Sequence, residues 1–154
     1  DLGPYLGTPT AMVTPILRVG EVNADDLLVN IGCGDARVLI EAARSFGCRG
    51  QGIERDPDLA ATARDAVRRA GLTERIDIIE ADANETDMSD ATVAFAFLPA
   101  EATATILPKA LAAMPTGSRF VAHEQLTKRW PIQPTRSELV VDGGVTVVSV
   151  WQVP

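Results

Sequence analysis

The sequence predicts an α/β fold: a Rossmann-like seven-stranded sheet, mostly parallel, finished by a C-terminal antiparallel hairpin and covered by helices on both faces. Three observations carry this. Apolar runs at 27–31, 50–54, 76–80, 91–98 and 119–122 are separated, over most of the chain, by segments of helical period. The first run breaks into Gly32-Cys33-Gly34-Asp35-Ala36-Arg37, and the second ends in Glu54. The last two runs, 137–141 and 145–153, flank Asp142-Gly143-Gly144, which signals a hairpin and not a crossover.

Each element has a local reason. Thr8-Pro9 resembles an N-cap followed by proline at the first helical position, and Met12, Val13, Ile16 and Leu17 then recur at helical spacing. Strand one follows at 27–31. Residues 35–46 read as a helix burying Val38, Leu39, Ala42, Ala43 and Phe46, ended by Gly47. After strand two, Asp56-Pro57 opens a helix that runs to Ala70 and closes at Gly71. Strand three is Ile76–Glu80. Ala91 to Leu98 is an uninterrupted apolar run, as expected of a parallel strand covered on both faces, and Pro99 to about Ala113 is its crossover helix. The helix usual between strands five and six is nearly absent.

With 154 residues, 46% of them hydrophobic, the chain is expected to form one domain, 1–154, with a single core. No run approaches the roughly 18 apolar residues of a membrane span, and no basic-then-apolar leader precedes Asp1, so a membrane role is not expected of this segment. Cys33 and Cys48 form no Cys-x-x-Cys pair and His123 is the sole histidine, which argues against a disulfide framework or a metal site and for a reduced, cytoplasmic setting. The formal charge of −7 disfavours a nucleic-acid groove; it suits a basic partner or serves solubility. A homo-oligomer is compatible with all of this.

The loop spacing selects among cofactors. A dinucleotide site needs a third small residue where this chain has Arg37, so the pyrophosphate of NAD is disfavoured. S-adenosylmethionine carries no phosphate and needs only missing side chains at Gly32 and Gly34. Glu54, 22 positions after Gly32, then sits where a carboxylate can accept both ribose hydroxyls.

These residues resemble the class I S-adenosylmethionine-dependent methyltransferases. More narrowly, Pro4-Tyr5-Leu6-Gly7-Thr8-Pro9, the 32–37 loop, Gly52-Ile53-Glu54, Phe97-Leu98-Pro99 and Trp130-Pro131 look like the small lysine-specific protein methyltransferases of archaea and mitochondria. The resemblance implies that Tyr5 and Thr8 fold over the cofactor, Gly32, Cys33 and Gly34 line its methionine end, Glu54 holds the ribose, and Asp82 lies by the adenine. Arg55 and Ala83, beside these acids, belong to the same candidate set, as does Asn30. Asn30 stands where the family has an acid, Ala36 where it has a third glycine, and Phe97 where a tyrosine is common. Asn30 brings no charge toward the cofactor's ammonium group; Ala36 reads as a mild change; Phe97 removes a hydroxyl near the reacting centre.

Methyl transfer to a lysine needs alignment and a neutral amine more than a strong base. Phe97, Leu98, Pro99 and Trp130 could wall an apolar channel, or simply pack the core. His123, at the end of strand five, is either a structural group or the base for an oxygen or nitrogen acceptor. With Tyr5 and Phe97 it completes the candidate catalytic set. Asp82 could instead cap the next short turn. Cys33 is not expected to act as a nucleophile, and Arg37 reads as a helix-surface group or an ion-pair partner and not as a phosphate reader. The acceptor is a protein lysine or, with a lid supplied by a partner chain, a small molecule; a non-catalytic cofactor-binding protein is the other alternative.

Overall fold

The computed structural model describes residues 8–124, 130, 132–141 and 144–154, with only the backbone of Ala100 and Glu124. One sheet of seven strands runs in the order β3-β2-β1-β4-β5-β7-β6. Its strands are β1 (Leu27–Ile31), β2 (Arg49–Glu54), β3 (Ile76–Glu80), β4 (Val93–Ala96), β5 (Arg119–Glu124), β6 (Arg136–Val141) and β7 (Val145–Gln152). β1 to β5 pair in parallel, and β7 lies antiparallel between β5 and β6. This is the predicted plan, hairpin included, although residues 142 and 143 of its turn lie outside the described residues.

Strand alternation divides the core into two layers. Leu28, Phe95, Val121 and Val148 face helices α1 (Thr10–Val19), α2 (Arg37–Phe46) and α3 (Pro57–Arg69). Val29, Ile31, Ala94 and Phe120 face α4 (Ala100–Ala113) and the segment around a single 3-10 turn, Ala83–Glu85. Where α4 leaves the second face open, Trp130 packs edge-on to Trp151, whose indole N–H donates to the Ile132 carbonyl at 2.9 Å. The described residues between β5 and β6, Trp130 and 132–135, are in no helix. Among the described residues no helix is long and apolar enough to cross a membrane.

Three local expectations need correction. Thr8 is not the N-cap of α1: Pro9 occupies that position without a side-chain bond, because the Thr8 hydroxyl is taken by His123. The second helix starts at Arg37 and not at 35, since Asp35 stays outside it and accepts the Arg37 N–H. β4 is shorter than the 91–98 run. Its last residue, Ala96, pairs with Ile31 and Ala122; beyond it β1 turns away at Gly32, and Phe97 leaves the ladder with its ring stacked on His123 of β5.

The opposite, amino-terminal edge of the sheet is tied by a buried ion pair. The Asp26 carboxylate accepts from the Arg119 guanidinium at 2.6 Å, from the Thr92 hydroxyl at 2.8 Å and from the Asn23 N–H at 2.8 Å. Three neighbouring strands are thereby locked where they start, which leaves their carboxyl ends for the site.

Candidate active site

The order of the strands reverses between β1 and β4, and the crevice outside that point is where open α/β sheets bind ligands. There Gly32, at φ +70°, turns the chain off β1, a torsion that favours glycine; a Cβ on it would stand 2.8 Å from the tip of the Leu98 side chain, which would have to shift. The N–H groups of Gly32 and Cys33 both donate to the Ile53 carbonyl, at 2.9 and 3.1 Å. The loop therefore lies across the end of β2. Gly52 makes room for it: a Cβ there would meet Cys33 Sγ at 2.7 Å and Leu39 at 2.8 Å. Ala36, buried and at φ +67°, occupies a left-handed position that glycine takes more easily, so the change from glycine strains the backbone and is less mild than the sequence suggested.

Glu54 is buried at 7% exposure and its carboxylate organises the crevice. One oxygen accepts the Gly34 N–H and the other the Asp56 N–H, both at 3.1 Å. Each oxygen keeps a further lone-pair direction, the property required to accept ribose hydroxyls. The end of β3 lies alongside, where the Ala81 N–H donates to the Glu54 carbonyl at 3.1 Å. Asp82 caps the 3-10 turn by accepting the Asn84 N–H at 2.9 Å, a contact that also holds its carboxyl below the usual range. Ala83 is buried as the first residue of that turn, and Arg55 is exposed just beyond Glu54.

Thr8, Asn30, Gly32, Cys33 and Phe97 converge on one cavity, together with Arg37, Val38 and Phe95. It encloses about 10 Å³, room for a single water, so it can take an end group and not a nucleoside. The Asn30 side chain is 4% exposed and makes no hydrogen bond among the described residues. It lines the cavity, where its amide can donate to or accept from a group that enters. Larger hollows lie elsewhere: about 170 Å³ beside Met88, Ile106 and Ala110, and about 360 Å³ at the amino ends of β1 to β3. Volume alone does not mark the site, because neither adjoins the strand reversal.

Cys33 is buried, and burial first, then the nearby Glu54 charge, pushes its thiol up to about 12, which removes the thiolate a nucleophile would need. Arg37 forms a forked ion pair with Asp35, at 2.7 Å for the closest contact, and donates to the Thr8 carbonyl at 3.2 Å. His123 is buried, stacked on Phe97 with ring centroids 4.0 Å apart; its Nε2 lies 3.1 Å from the Thr8 hydroxyl and its Nδ1 3.3 Å from that of Thr146. Burial pulls its imidazole down to about 4. Tyr5 and the side chain of Glu124 lie outside the described residues. Sequence reading missed Thr146, because a threonine within a strand announces nothing until its partner element is placed; Gly52 stood in the Gly52-Ile53-Glu54 segment, but its role as a spacer for the loop shows only once Cys33 and Leu39 are placed.

The strand order, the glycine loop and the acid at the end of β2 define a class I S-adenosylmethionine-dependent methyltransferase. The chain belongs to the family of the ANTKMT methyltransferase domain, whose model matches residues 30–134. A protein-lysine N-methyltransferase of Saccharolobus islandicus is 32% identical over 92% of this chain and 88% of its own length. An RNA methyltransferase of Salinibacter ruber, solved with S-adenosylhomocysteine, superposes with a TM-score of 0.86 at 34% identity, covering 97% of this chain and 94% of that one. TrmN of Thermus thermophilus shares the fold, with a TM-score of 0.78 at 20% identity over 94% of this chain and 49% of its own.

Proposed function

We propose that this enzyme transfers a methyl group from S-adenosylmethionine to the side-chain amine of a lysine on a protein. The observation that carries this is the match, along nearly the whole length of both chains, to an enzyme named for lysine methylation. The residues present fit the cofactor. Gly32 supplies the left-handed turn at the end of β1, Glu54 offers two oxygens that each accept one backbone N–H and keep room for a further donor, and Asn30 lines the small cavity beside Gly32 and Cys33. Asp82 and Ala83, at the end of the neighbouring strand, would flank the adenine; Thr8 and Cys33 would close the other end.

When bound, the cofactor supplies a methyl group already activated on a sulfonium, so the protein need not activate it. The chain's own residues bind, orient and exclude water. A lysine of ordinary pKa about 10.4 has on the order of one amine in a thousand neutral at pH 7. An apolar wall of Phe97 and Leu98 disfavours the ammonium form and raises that share. Both are half-buried at the crevice, Phe97 against His123 and Leu98 against Gly32.

RNA is the second reading, favoured by the Salinibacter relative. A net charge of −7 opposes it, since RNA binding draws most of its affinity from neutralising phosphates. The test is incubation of the enzyme and methyl-labelled donor with a lysate, followed by separate counting of protein, RNA and small molecules. We expect label in protein, recovered as methyl-lysine on hydrolysis. Label confined to RNA or to small metabolites overturns the proposal.

A further inference from the structure

We propose that His123 is a positioning residue and not the base of the reaction: it bridges Thr146 on β7 to Thr8 ahead of α1, and so holds the Thr8 segment against the cofactor loop. This rests on the reading of the Gly32–Gly34 crevice as the cofactor site. Thr8 is held from two sides. Its hydroxyl meets His123 Nε2 at 3.1 Å, and its carbonyl accepts from Arg37, which is itself forked onto Asp35 in the loop. The Thr8 side is thus linked to β5 and β7 on one flank and to the start of α2 on the other, with the Asn30 cavity between them.

The ring is built for this task and poorly for proton transfer. Both nitrogens face threonine hydroxyls, so whichever tautomer is present, one nitrogen donates and the other accepts, and the ring's single in-plane lone pair is already engaged. Its faces are occupied as well: Phe97 stacks on it with an interplanar angle of 18°, and Phe95 lies tilted at 5.6 Å. Burial keeps the ring neutral at working pH, so the bridge does not switch. Loss of the ring would leave the Thr8 and Thr146 hydroxyls, both buried, without this partner, and would release the wall of the cavity from β5.

Because His123 is the sole histidine, its ring resonances can be followed by NMR without assignment. We expect no titration between about pH 5.5 and 8. In His123→Ala the Kd for S-adenosylhomocysteine and the KM for the donor should rise about tenfold, the worth of one buried hydrogen bond, while kcat falls less than about threefold and its pH profile keeps its shape. His123→Gln should recover part of the affinity. The double variant Thr8→Val/His123→Ala should bind no more weakly than His123→Ala, as expected of residues acting as a unit. Should His123→Ala fail to fold, Thr146→Val, which leaves the ring in place, is expected to weaken binding about threefold. Three results overturn the proposal: a ring that titrates near 6.5 in step with the rate, lost kcat at unchanged affinity, or parental affinity in the folded variants. A parent that binds no S-adenosylhomocysteine overturns the cofactor reading and this proposal with it, whereas failure in the variants alone overturns only the latter.

Discussion

At the scale of single residues, His123 and Glu54 show how a buried polar group is kept. Burial pulls the His123 imidazole from its ordinary 6.5 down to about 4, and this makes stability depend on pH. Below pH 6.5 the unfolded chain binds a proton that the folded ring refuses until about pH 4. Stability from this group is therefore complete above pH 6.5 and lost as pH falls toward 4. The loss amounts to about 2 kcal/mol between pH 7.5 and 5, and urea unfolding of the parent at the two pH values should exceed by that amount the change in His123→Gln. Glu54 calls for two substitutions, because it holds two backbone N–H groups as well as the expected ribose. Glu54→Gln keeps one accepting oxygen but sets its amide NH2 against the other backbone N–H, so it should lose about 1 kcal/mol of stability and weaken S-adenosylhomocysteine by about 1.5 to 3 kcal/mol, the worth of a charge-assisted bond. Glu54→Ala should in addition lose about 1 to 2 kcal/mol of stability by orphaning the Gly34 and Asp56 N–H groups. Calorimetry and denaturation of the pair separate the two roles. Equal binding by Glu54→Gln and the parent would refute the ribose assignment.

At the scale of elements, the glycine loop depends on β2 being thin. Gly50 and Gly52 sit on the strand face that receives α2, where a Cβ on either would come within 2.8 Å of Leu39. Gly52→Val should cost about 1 to 3 kcal/mol by overpacking and displace Cys33, so cofactor binding should fall further than stability does. Thermal unfolding and calorimetry on the one variant check both parts, and an unchanged melting temperature would show the strand has slack. Such contacts explain what could be read from the chain. The sheet, its hairpin and the α3 cap at Asp56 follow from patterns within about ten residues, and all appear as expected. What could not be read depended on partners far along the chain. Thr8 had the residue type of an N-cap, but its hydroxyl found His123, 115 positions away. Phe97 had the hydrophobicity of a strand residue, but its neighbour β1 had already turned. Ala36 looked interchangeable with glycine because composition carries no torsion angle; in place its methyl is fully buried, so about 0.8 kcal/mol of burial offsets much of a strain of about 1 to 2 kcal/mol.

At the scale of the whole molecule, charge and topology act together. The carboxyl ends of β1, β2 and β3 deliver Asp35, Glu54, Asp56 and Asp82 to the edge that holds the crevice, in a chain of net charge −7. Arg37 pairs with Asp35 and the Arg55 charge acts on Asp82, while Glu54 and Asp56 are oriented by backbone N–H groups, so the four acids of this edge face two guanidinium groups. The field at the entrance is therefore negative, which draws in a basic protein segment and repels a polyanion. The sign of the salt effect distinguishes the two acceptors. For a lysine-rich protein, kcat/KM should fall by about tenfold or more as ionic strength rises from 0.05 to 0.5 M and the Debye length shrinks from about 14 to about 4 Å. For RNA the same change would first relieve repulsion, so activity would hold or rise at the low end of the range. Binding of S-adenosylhomocysteine, which carries no net charge, should stay nearly constant and serves as the internal reference. A rate on protein substrates indifferent to salt would mean that the acceptor is recognised by the apolar Phe97 and Leu98 wall alone, with the acidic rim left to keep the protein in solution.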